Sequence, residues 1–142
     1  MSMELLIFFA LGDAPDLQEW KNALAERNIP VSITEQVDLS TFSGFLPMRL
    51  ENEGTGLYFG IDDFEDLAAN IPALKNISIN KPVVYSLSYG GHMAEGAVVF
   101  YSASALTAEF NGVAFDAEGG VFMNADELLE AAKLFQQMAA QE

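Results

Sequence analysis

The chain has no cysteine among its 142 residues, which excludes disulfides, zinc–thiolate sites, thiol nucleophiles and thiol redox switching. Histidine is nearly as scarce. His92 is the single one, so any mechanism that needs imidazole as a base or a metal ligand depends on that position. Bases number 6 against 21 acids, for a formal net charge of −15. So acidic a surface repels phosphate backbones and anionic headgroups, which sets aside nucleic acid and membrane surfaces as partners. Cationic partners are attracted instead, although an acidic composition also serves plain solubility. Long apolar runs are missing as well. The uncharged stretch between Glu95 and Glu109 is thirteen residues, short of the roughly 20 that span a bilayer. The apolar run Leu5–Leu11 follows Glu4 and lacks a basic segment before it, so it reads as a buried strand and not as an export signal. A soluble, cytoplasmic protein is the expectation.

What is present is a core. Hydrophobic residues make up 51% of the chain and charged ones 19%, and 142 residues suit one domain with a sizeable interior. The stretch Tyr89–Asp116 organises the rest. A helix is expected to begin after Gly90–Gly91 and run to about Phe110, with Ala, Val, Phe and Leu on nearly every side. A helix without a polar face has to be enclosed by other elements. A return strand, Val113–Phe115, is expected after Asn111–Gly112.

Ahead of this helix, Asp13 is positioned to cap a helix carrying Leu17, Trp20 and Leu24 at helical spacing, with Pro15 in its first turn. Pro30–Val37 alternates like a strand with one polar face. Phe45–Glu51 and Thr55–Ile61 predict a β-hairpin turning at Asn52–Glu53–Gly54. A short helix over Phe64–Ile71 and a strand over Pro82–Tyr89 follow. The last helix opens on Asn124, whose spacing to Glu127 predicts a capping box, and buries Leu128, Ala132 and Phe135. Leu5–Val37 and Val83–Phe115 have the outline of βαβ units, with right-handed crossovers if their strands are parallel in one sheet. The fold class is α+β: a single domain whose mixed or mostly antiparallel sheet packs against helices on one side, with the Ala-rich helix near-fully buried at its centre.

Chemistry is sparse. His92 and Glu95 lie three residues apart at a helix start and can share a face. They form either part of a small-molecule pocket, as a ligand or acid–base pair, or a structural pair in which Glu95 accepts hydrogen bonds near the helix's positive end. An enclosed Glu95 is expected to be protonated more readily unless a partner is supplied. Gly90–Gly91 has no GxGxxG context, Asp116–Gly120 falls short of a calcium loop, and the serines have no nucleophile elbow. No catalytic, metal-ligating or cofactor-binding residue is assigned, and no cofactor is expected.

Acid clustering is the stronger signal. Residues 1–71 carry a net charge of −10 and residues 72–142 a net charge of −5. Glu51, Glu53, Asp62, Asp63, Glu65 and Asp66 gather around the predicted hairpin, either as a face that captures a basic protein or as solvated turn and helix-start acids. The segments Gly44-Phe45-Leu46-Pro47, Thr55-Gly56-Leu57-Tyr58-Phe59, Gly91-His92-Met93-Ala94-Glu95 and Gly112-Val113-Ala114-Phe115-Asp116 resemble a group of small acidic bacterial proteins of unassigned function. The likeness covers about residues 40–135. Some proteins of that kind are immunity partners of toxins, so the resemblance implies protein binding and carries over no catalytic residue. The expected function is therefore a non-enzymatic binding protein. The alternatives are a small-molecule-binding or enzymatic domain at His92 and Glu95, or a homodimeric structural protein.

Overall fold

The structure, a computed structural model, describes residues 3–142. Strand β1 (Met3–Phe9) is followed by α1 (Leu17–Glu26) and a two-residue strand β2 (Val31–Ser32). The hairpin β3 (Gly44–Leu50) and β4 (Glu53–Asp62) leads into α2 (Phe64–Asn70) and a 3-10 turn at Pro72–Asn76. Next come β5 (Val83–Tyr89), the long helix α3 (Met93–Glu109), β6 (Val113–Asp116), β7 (Val121–Met123) and α4 (Ala125–Ala139). The described residues form one α+β domain around a seven-stranded sheet in the order β2-β3-β4-β5-β1-β6-β7.

Every ladder is antiparallel, which resolves the mixed-or-antiparallel expectation, and the two βαβ outlines join parallel strands of one sheet that are not neighbours. β5 and β6 point the same way, but β1 lies between them. β1 and β2 also point the same way, with three strands intervening.

Helix α3 is enclosed as its composition requires. Eleven consecutive residues, Gly96 to Leu106, are buried, beneath α4 and α1 and against the sheet. Close approach depends on small residues. A Cβ at Gly96 would lie 2.8 Å from the Phe135 ring of α4, and that ring stacks on Phe100 with centroids 5.3 Å apart. Ser104 donates to the Ala125 carbonyl at 2.9 Å, which ties α3 to the start of α4. The Asn124–Glu127 capping box is present as its spacing predicts. At α1 the cap is Asp16 and not Asp13. Asp16 accepts from the Glu19 N–H at 2.8 Å while Glu19 accepts from the Asp16 N–H, a reciprocal pair; the residue three beyond Asp13 is Asp16 itself, already engaged as the cap.

Helices occupy both faces of the sheet, a correction to the one-sided expectation. Leu5, Ile7 and Phe9 of β1 face α1, α3 and α4. Leu6, Phe8, Val84 and Phe115 form a second core with Phe64 and Ile71 beneath α2 and the 3-10 turn. β1 is therefore buried on both sides and reads as an unbroken apolar run. It stops at Phe9, and Leu11 is left 82% exposed.

Two strand boundaries also differ from expectation. The hairpin turns on Glu51–Asn52, because Leu50 pairs with Glu53; Gly54 sits inside β4 opposite Arg49. Glu51 takes the left-handed conformation (φ 57°) that so short a turn demands. The expected strand Pro30–Val37 is paired only at Val31 and Ser32. Pro47 explains the loss. Glu51 donates its N–H to the Pro30 carbonyl at 2.8 Å, so the odd-numbered residues of β3 direct their main-chain groups toward β2. After Ser32–Arg49 the next bonded pair would be Thr34–Pro47, and proline has no N–H to give. Ile33 nevertheless stays buried, so the apolar alternation survives without the ladder.

Two substitutions probe these constraints. Gly96→Val is expected to overpack the α3–α4 contact and cost about 2 kcal/mol in denaturant unfolding; an unchanged midpoint would show that the contact is loose. Pro47→Val is expected to extend β2, with slowed hydrogen exchange at the amide of residue 47. Rapid exchange there would mean that something other than the missing donor ends β2.

Candidate functional site

The tip of the β3–β4 hairpin faces the end of α4 and the first turn of α3 across a cleft of about 560 Å³. Glu51, Asn52 and Glu53 form one wall, while Gln136, Ala139 and Glu142 belong to the other. Three carboxylates line this space, and no Lys, Arg or His does. The acids are held in place. The Glu51 N–H is bonded to Pro30, and the Arg49 guanidinium closes on the Asn52 carbonyl. The buried Tyr101 hydroxyl donates to the Gln136 side-chain oxygen, and Gln136 reaches Glu51 at 3.4 Å. Burial, together with the Glu51 charge, raises the Tyr101 phenol above its ordinary range, so it remains a donor. Across the cleft, Glu142 accepts from the Met93 N–H at 3.2 Å, at the positive end of α3.

The six acids singled out from the sequence do not form one face. Glu51 and Glu53 line the cleft, but ten-residue β4 runs from Glu53 to Asp62, a separation of roughly 30 Å at about 3.3 Å per residue. Asp63 caps α2 by accepting from the Asp66 N–H at 3.3 Å, and Glu65 and Asp66 sit in that helix's first turn. Asp62 differs from these. Its side chain shares a sheet face with Glu4, and burial together with the Glu4 carboxylate raises its pKa above the usual 3.8. Glu4 itself accepts from the Ser86 hydroxyl at 2.7 Å.

His92 and Glu95 are brought to the same helix start but are not joined. His92 is exposed at the N-cap of α3 and makes no capping bond with its side chain. Glu95 is half-buried, not enclosed, and accepts from the Gly90 N–H at 2.9 Å, which folds the Gly90–His92 loop onto the helix. Neither lines the hairpin-tip cleft. Among the described residues, no three His, Asp or Glu side chains are grouped so that they could hold a metal ion, and no helix is long and apolar enough to cross a membrane.

The pairing of Gln136 and Tyr101 with Glu51, and of Glu4 with Ser86, was not read from the sequence. Each joins residues 35 or more apart, and neither has a local spacing signature. No protein-family model, curated protein or solved structure matches the chain.

The raised Asp62 fixes a sign for its effect on stability. A carboxyl whose folded pKa exceeds its unfolded one contributes stability below the unfolded value, and that contribution is lost as pH rises through the folded value. Asp62→Asn is therefore expected to raise the thermal midpoint at about pH 7 and to leave it nearly unchanged at about pH 3. A lowered midpoint at neutral pH would reveal a compensating partner for the carboxylate.

Proposed function

We propose that this chain is a cytoplasmic, non-enzymatic binding protein of the immunity or inhibitor type, which captures a basic protein partner. The observation that carries this reading is the hairpin-tip cleft, which Glu51, Glu53 and Glu142 line and no Lys, Arg or His does. A concave wall of carboxylates on a chain of charge −15 steers a cationic surface inward and then holds it. The likeness to small acidic bacterial proteins, some of them toxin partners, agrees with this assignment. Glu51 is placed by a tight turn and by bonds to Pro30 and Gln136, so the acid side is preorganised and loses little freedom on binding. Asp63, Glu65 and Asp66 contribute to the long-range field, and as helix-cap acids they have a local structural duty as well.

A polylysine chain of about 20 residues serves as a generic basic probe. Its dissociation constant is expected to rise about tenfold between about 50 mM and about 200 mM salt, as exposed charges are screened. Reversing both hairpin acids, Glu51→Lys with Glu53→Lys, is expected to weaken binding by a further factor of about ten. Wild-type affinity in that double variant would remove the cleft from the capture surface.

A further inference from the structure

The sheet face that carries α2 is only partly covered by it. Cross-strand register places Phe45 opposite Tyr58, Tyr58 opposite Ser88 and Ser88 opposite Glu4, in one row on that face. Phe45 and Tyr58 are 41% and 49% exposed, and their rings meet edge to face with centroids 5.2 Å apart. The pair is built into the strands. A Cβ at Gly56 would lie 2.6 Å from the tip of the Phe45 ring, so the missing side chain is what lets that ring lie across β4. Beside the rings the floor is small and polar: Gly60, Ser86 and Ser88. Beyond the floor stand Glu4, fixed by Ser86, and Asp62, both half-buried. The groups that act on Asp62 are its burial and Glu4, with no cation to offset them. Arg49 extends from β3 on the same face, and its guanidinium is turned to the Asn52 carbonyl at the hairpin tip. Among the described residues the side-chain ion pair is Arg27–Glu109, which leaves Glu4 and Asp62 without a cationic partner.

We infer that this open half of the sheet is a docking surface for a Lys- or Arg-bearing segment of a protein partner, with an aliphatic stem laid over Phe45 and Tyr58, its cation held by Glu4, and Asp62, four residues further along β4, adding its charge to the same face. The inference rests on the reading of the chain as a binder of basic protein and adds a second contact surface to it. Charge complementarity selects the occupant. Two copies meeting through this face would oppose Glu4 and Asp62 to themselves on chains of charge −15, and anionic lipid or nucleic acid would be repelled. An aromatic face within reach of a carboxylate is the chemistry that desolvates a guanidinium or ammonium stem while keeping its charge satisfied. Tyr58 and Glu4 lie two strand spacings apart, roughly 10 Å, a distance covered by one long basic side chain whose stem rests on the ring.

The test is an NMR titration of the isotope-labelled protein with a short, end-blocked peptide of alternating arginine and valine, beside the same peptide with citrulline for arginine. Expected are shifts at the amides of Tyr58, Gly60, Ser86 and Ser88 with the arginine peptide and none with the citrulline one. Tyr58→Ala and Glu4→Gln are each expected to weaken binding about fivefold, whereas Tyr58→Phe, which keeps the ring, binds as the wild type does. Shifts confined to Leu50–Glu53 and Gln136 would overturn this surface and leave the cleft assignment standing. Silence at both places would overturn both. Shifts of the same face on concentrating the protein alone would assign it to a second copy and overturn the inference.

Discussion

The enclosure of α3 is the constraint from which the rest follows. Eleven buried residues in succession leave that helix no solvent face, so the sheet, α1 and α4 have to surround it. A surrounded helix must be thin. Gly96, Ala97, Ser102, Ala103, Ser104 and Ala105 supply little side-chain bulk, and the large groups at the contact, Phe100, Phe135 and Tyr89, pack edge to face or stacked around the space they leave. All pairings in the seven-stranded sheet are antiparallel because the helical crossovers join strands that are not neighbours: α3 carries the chain from β5 over β1 to β6, and α1 from β1 to β2. The cleft is a product of the same arrangement, since α4 must lie along α3 and its end therefore arrives opposite the hairpin tip.

Much of this architecture was legible in the sequence because it is written in local patterns. The uncharged run after Glu95 required a buried helix, Asn124 and Glu127 marked the start of α4, and the alternation around Met48 and Leu57 gave the hairpin. The losses came where a partner strand decided the outcome. Alternation over Val31, Ile33 and beyond is genuine, but a single proline in the neighbouring strand ends the pairing. Asp16 is the cap because Glu19 stands three positions later to complete the reciprocal pair, whereas the residue three beyond Asp13 is Asp16 itself. Two-sided burial of β1 was visible in its apolar run, yet the run could not say that α2 supplies the second layer.

Less of the site was legible. The acids at Glu51 and Glu53 were visible as a cluster, but their spacing from Asp62 along one extended strand separates two groups that look adjacent on paper. Glu4 interrupts an otherwise apolar beginning, and only the register of β5 against β1 shows that its carboxylate meets Ser86. Phe45 and Tyr58 are ordinary strand aromatics until the hairpin register sets them opposite each other. His92 and Glu95 illustrate the reverse case. Their spacing is local and suggestive, while the Gly90 N–H that engages Glu95 gives it a loop-closing duty.

Pro47 has a consequence beyond the shortening of β2. β3 lies next to a sheet margin along most of its length, and a margin with free donors invites another chain to join it as an added strand, the route to filaments and amyloid. Proline at the middle of that margin leaves an incoming strand one donor short where it would need a regular series. The protein can thus keep a broad, partly aromatic sheet face open to solvent without offering its backbone as a template for self-assembly.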